Sequence, residues 1–102
     1  MNSPIPRLSR AEALILELLS EGETFGLELV GRSNGRLKRG TVYVTLSRMQ
    51  DKGYVKSRTE RPVAGAIGLP RRLYQPTPLG LRIMHAWTLA ARAFNDLRPQ
   101  EI

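Results

Sequence analysis

The stretch "LKRGTVYVTLSRMQDKGYV", Leu37 to Val55, carries two opposed signals. Thr41-Val42-Tyr43-Val44-Thr45 is an unbroken run of β-branched and aromatic residues, the composition of a strand. Yet Val42, Leu46 and Met49 recur at i, i+4 and i+7, the spacing of one helical face. A strand here would put Thr45 and Ser47 on one side with Tyr43 and leave no clean apolar face. The residues that follow, Ser47, Arg48, Gln50, Asp51 and Lys52, suit a last helical turn, and Gly53 stands where a left-handed residue closes a helix. The pattern predicts a helix over 39–52.

Working outward, Ser9-Arg10-Ala11-Glu12 has the form of a capping box. The apolar stripe Ala11, Leu14, Ile15, Leu18 and Leu19 behind it predicts a helix over 10–20. Thr24 is the next N-cap in reach, opening a short helix with Phe25, Leu27, Leu29 and Val30. Gly31-Arg32-Ser33-Asn34-Gly35 breaks it. After Gly53, Tyr54–Thr59 and Arg72–Gln75 alternate as strands do. The Gly- and Pro-rich segment between them is too long for a tight hairpin turn and reads as a protruding loop. Thr77 and Pro78 then form an N-cap and N1 pair. They open a helix carrying Leu79, Ile83, Met84, Trp87, Ala90, Ala91, Phe94 and Leu97, about 30 Å long.

Three helices, a β-hairpin and a long final helix define an α+β, mainly α fold: a winged helix-turn-helix with a long C-terminal dimerisation helix. The third helix is the recognition element in that arrangement. Residues 8–76 are expected to form the winged-helix DNA-binding domain and 77–98 the dimerisation helix, within one compact unit.

Charge points the same way. The 102 residues carry a formal net charge of +7, unevenly spread. Residues 1–31 set Arg7 and Arg10 against Glu12, Glu17, Glu21, Glu23 and Glu28, whereas residues 32–82 set twelve Lys and Arg against Asp51 and Glu60 alone. Such concentration suggests a surface for a polyanion. The absence of cysteine excludes disulfides and thiolate chemistry. No run is long enough for a membrane span and the start lacks a signal pattern, so a cytoplasmic protein is expected. The single histidine, His85, lies inside the last helix without an acid or nucleophile nearby in sequence. No enzyme, metal or cofactor is therefore expected.

Three segments resemble the PadR family of bacterial transcriptional regulators. Gly40-Thr41-Val42-Tyr43 with Leu46-Ser47-Arg48-Met49 and Asp51-Lys52-Gly53-Tyr54-Val55 is the most specific. Arg71-Arg72-Leu73-Tyr74-Gln75-Pro76-Thr77-Pro78-Leu79-Gly80 is the second. Phe25-Gly26-Leu27-Glu28-Leu29 is weaker, with Leu27 where the family usually has tyrosine. The resemblance implies a dimeric DNA-binding repressor whose third helix lies in the major groove, and such a dimer is expected to bind a pseudo-palindromic operator. It also implies phosphate contacts from Thr41 and Tyr43, and a dimer interface on the last helix.

The helical wheel adds site residues. Val42, Leu46 and Met49 face inward; Val44, Ser47, Arg48, Asp51 and marginally Thr41 face outward, with Tyr43 and Thr45 on the flanks. Arg48 can bond the guanine edge and Val44 can meet a thymine methyl. Arg36, Lys38 and Arg39 oppose the dipole of the helix that follows, at a cost of up to about 1 kcal/mol, and a phosphate there would reverse the sign. Arg58, Arg61, Arg71 and Arg72 bracket the hairpin loop and suit the minor groove or backbone. Ile83, Met84, Trp87, Ala90, Ala91, Phe94 and Leu97 are expected at the dimer seam, with Trp87 also able to line a pocket for an aromatic inducer. The competing reading is a winged-helix module that binds an acidic protein partner, as an antirepressor would.

Overall fold

The computed structural model describes residues 6–61, 65 and 70–96. Its first helix, α1 (Arg10–Leu19), opens on the expected capping box: the Ser9 amide donates to Glu12 Oε1 at 2.9 Å and the Glu12 amide donates to Ser9 Oγ at 3.1 Å. Two of the orphan amides of a helix start are thereby satisfied. The helix buries Leu16 as well as Leu14, Ile15, Leu18 and Leu19 of the predicted stripe, with Ala11 half-buried, because other elements pack around it from more than one side.

Thr24 does not cap a helix. Thr24–Phe25 forms a short strand, β1, and Phe25 takes the N-cap position of α2 (Gly26–Arg32) without a side-chain bond. A two-residue strand has no period to read, and the pairing that creates it comes from residues about fifty positions later. Past α2, Asn34 and Gly35 adopt left-handed backbone and turn the chain. Ser33 is buried beneath that turn, donating from Oγ to Val30 O at 2.8 Å and accepting from the Leu37 amide at 3.0 Å.

The ambiguous stretch is a helix, α3 (Val42–Asp51), beginning three residues later than the pattern predicts. Lys38–Thr41 form a turn instead, in which the Thr41 and Val42 amides both donate to Lys38 O, at 3.1 and 2.9 Å. Val42, Leu46 and Met49 are fully buried, and that packing outweighs the weak helix propensity of the first turn. The C-terminus is a Schellman motif. Gly53, at φ 81°, donates to Gln50 O, and Tyr54 donates to Met49 O.

Strands β2 (Val55–Thr59) and β3 (Arg72–Pro76) pair antiparallel, Val55 opposite Pro76 and Thr59 opposite Arg72. Strand β1 joins the other edge of β3, giving the order β1-β3-β2. Helix α4 (Pro78–Asp96) is capped by Thr77, whose Oγ1 accepts from the Gly80 amide at 3.0 Å and donates to Gly53 O. The start of α4 lies against the end of α3 so closely that a Cβ on Gly80 would overlap the Tyr54 carbonyl. One core, centred on Ile15, Leu16, Leu19, Leu29, Leu46 and Val55, serves all the elements.

Candidate nucleic-acid interface

Burying Val42, Leu46 and Met49 turns the other side of α3 outward. Tyr43 and Val44 are 48% and 51% exposed, unusual for such side chains, and Thr41, Ser47 and Arg48 are exposed beside them. Thr45 is half-buried, and its hydroxyl donates to Thr41 O at 3.1 Å. Lys38 and Arg39 are exposed on the turn in front of the helix. Among the described residues no carboxylate pairs with Lys38, Arg39 or Arg48. Arg36 is anchored: its Nε donates to Ser33 O at 3.0 Å, so it buttresses the α2–α3 turn.

The arginines of the hairpin are held differently. Arg58 makes two bonds to Glu23, at 2.9 and 2.6 Å. The guanidinium holds the Glu23 carboxyl below the usual carboxylate range, and the carboxylate raises Arg58 in return. Arg71 pairs with Glu60 at 2.9 and 3.2 Å and lies 4.4 Å from the centre of the Phe25 ring. Arg72 donates to Ser57 Oγ at 3.0 Å, and Ser57 donates to Gln50 Oε1 at 3.1 Å, so a polar chain links β3 and β2 to α3. Arg61 is exposed. Most of the loop beyond it lies outside the described residues.

Glu12 does a second job at the far end of α3. Burial pushes its carboxyl up, but Lys52 at 2.8 Å and the Ser9 amide outweigh that and leave it lowered. The pair ties the C-terminus of α3 to the N-terminus of α1. Its partners are 40 residues apart, and no local pattern announces it.

On α4 the expectations divide. Ile83, expected at a dimer seam, is 6% exposed and belongs to the chain's own core. Its place one turn after the close Gly80–Tyr54 approach turns it inward. Met84 and Trp87 are half-buried against that core. Trp87 Nε1 donates to Pro6 O at 2.7 Å, which fastens the N-terminal segment to α4. Trp87 and Met84 also line a shallow groove with Leu8, Thr88 and Ala91. Ala90 and Ala91 are exposed and Phe94 is 73% exposed. Leu81 and Leu89, which the sequence pattern did not mark, are exposed on a different side of the helix, in a patch with Met84 and Ala86, about 140° around from Phe94. Leu97 lies outside the described residues.

Glu23, Glu60, Gln50 and Ser57 contribute to these contacts without a signal of their own in the sequence pattern. Glu60 and Arg71 flank the loop at paired ends of the hairpin, a signal the register contained. Glu23 meets Arg58 from 35 positions away, and Ser57 reaches Gln50, seven positions earlier, only because the chain turns back at Gly53. Among the described residues no group of side chains is arranged to hold a metal ion, and no helix is long and apolar enough to cross a membrane.

A family model, the transcriptional regulator PadR-like family, matches residues 15–86. The fold is similar to that of a PadR family transcription regulator from Clostridium difficile, at 25% identity and a TM-score of 0.75 over 87% of this chain and 94% of that one. A PadR-like transcriptional regulator from Bacillus cereus is 26% identical, with a TM-score of 0.65 over 88% of this chain and 92% of that one. Bacillus subtilis PadR, solved in complex with operator DNA, shares the fold at 22% identity and a TM-score of 0.71, over 95% of this chain and 51% of that one. No curated protein matches the chain.

Proposed function

Since the chain belongs to the PadR-like family of transcriptional regulators, we propose that it acts as a homodimeric repressor on a pseudo-palindromic operator. Residues 8–76 read the DNA and 77–98 hold the dimer. The observation that carries this reading is the outward face of α3, where Tyr43, Val44 and Arg48 stand exposed behind Lys38 and Arg39, which have no carboxylate partner among the described residues. An exposed tyrosine and valine over a buried Val42-Leu46-Met49 stripe make a poor surface for water and a good one for a groove. Arg48 and Val44 would meet base edges, while Thr41, Thr45 and Tyr43 meet the backbone. Bacillus subtilis PadR, which shares this fold, was solved in complex with operator DNA, and that supports DNA as the partner here.

The dimer rests on α4. Phe94, with Ala90 and Ala91 beside it, exposes apolar surface that its own domain leaves uncovered, and a second α4 would cover it. Two α3 helices would then enter successive major grooves about 34 Å apart.

Footprinting on DNA flanking its own gene tests the reading. Two protected half-sites one helical turn apart are expected; no protection at low salt contradicts it and favours an acidic protein partner. A second reading, control by an aromatic ligand, is favoured by the groove beside Trp87. Quenching of this single tryptophan by aromatic compounds, coupled to release of DNA, is its signature. A broad panel without quenching removes it.

A further inference from the structure

Gly26 opens α2 with backbone outside the left-handed region, so no turn geometry requires a glycine there. Glycine is also a weaker helix former than alanine. What the position does require is an absent side chain. An alanine methyl at Gly26 would lie 2.6 Å from Tyr43 Cε1, 2.9 Å from Cζ and 3.1 Å from the hydroxyl oxygen. These are the atoms that α3 carries outward. Gly80 makes a useful contrast: its close neighbour is the Tyr54 carbonyl, which is backbone and cannot move aside. The neighbour of Gly26 is a side chain that can rotate.

We propose that Gly26 is a positioning residue for DNA binding, its bare Cα forming the seat that holds the Tyr43 ring and fixes the hydroxyl on the DNA side of α3. The inference rests on the reading of α3 given above. A tyrosine on an open helix face is free to exchange rotamers, and binding would then have to order it. Seated against α2, the ring is ordered in advance while remaining 48% exposed. The seat also couples two elements: a shift of α2 against α3 moves the hydroxyl.

The test uses four full-length proteins, the wild type, Gly26→Ala, Tyr43→Ala and the double variant, with a duplex spanning the region upstream of the gene. Gly26→Ala is expected to keep its melting temperature and dimer and to lose about tenfold in affinity, the scale of one charge-assisted hydrogen bond. In the Tyr43→Ala background the same change should cost less than about twofold, because the group it acts through has gone. A wild-type NMR spectrum should show the Gly26 α-protons shifted upfield by the ring, and Tyr43→Ala should abolish the shift. An equal loss in both backgrounds overturns the proposal, as does an unshifted Gly26. Full affinity in Gly26→Ala with a loss in Tyr43→Ala overturns the seat but leaves the α3 reading standing. Full affinity in Tyr43→Ala overturns the positioning role, and no duplex binding by the wild type overturns both.

Discussion

The turn before α3 and the hairpin beside it are both rich in cations, yet the fold treats them oppositely. Lys38, Arg39 and Arg48 stand exposed without a carboxylate partner among the described residues. Arg58 and Arg71 are each gripped by a glutamate through two bonds, and Arg72 is tied to Ser57. Charge count alone would rank the two regions as equals. A cation already paired must exchange one anion for another on meeting a phosphate, whereas an unpaired one only sheds water and counterions. The turn and α3 should therefore carry the affinity, and the hairpin should mainly hold its own shape.

The largest effect is expected from reversing the free charges. Arg39→Glu with Arg48→Glu should lower duplex affinity by at least about 100-fold in mobility-shift assays, since lost attraction becomes repulsion at four places per dimer. Sedimentation should show an unchanged dimer. A smaller change makes the comparison directly: Lys38→Ala with Arg39→Ala should cost about tenfold, and Arg58→Ala with Arg71→Ala less than about threefold. Equal losses would erase the distinction between the regions.

Stability should move at a third place. Glu12 joins the α1 cap to Lys52 at the end of α3, so Glu12→Ala should cost about 1–2 kcal/mol. In a domain this small that is roughly 5–15 °C in melting temperature. The folded carboxyl is lowered from its ordinary value of 4.5, so its contribution is complete above that pH and fades as the pH falls through the lower folded value. The gap between wild type and Glu12→Gln should accordingly narrow in acid; a constant gap would separate Glu12 from the pair with Lys52. The smallest effect concerns the grip on the hairpin. Glu23→Gln frees Arg58, and affinity should rise about two- to threefold with a steeper salt dependence, at an unchanged melting temperature. A fall in affinity would mean that the ion pair itself shapes the DNA-facing surface.

Local chemistry made much of this legible. The capping box at Ser9, the Gly53 stop and the Thr77–Pro78 start each need only a few neighbouring residues, and each forms as read. The buried stripe of α3 outlasted five strand-like residues because it lengthened past them. Strand β1 was out of reach, since two residues carry no period and their hydrogen-bonding partners lie on β3. The first turn of α3 is delayed because Lys38 O closes a turn before the helix begins. Ile83 shows the limit on a helix face: its spacing fits a seam, but the contact at Gly80 rotates it into the core. Among site residues, the types were visible and the pairings were not. Arg58 and Glu23 are 35 positions apart, so only the folded chain separates held arginines from free ones.

The most direct measurement of the central claim is the salt dependence of duplex binding, for the wild type and for Lys38→Ala with Arg39→Ala. A dimer neutralising about 6–10 phosphates should give a slope of log K against log salt near −5 to −9. Removing two cations per protomer should make that slope shallower by about 3–4. A slope that the double substitution leaves unchanged, or an affinity indifferent to salt, would contradict the account.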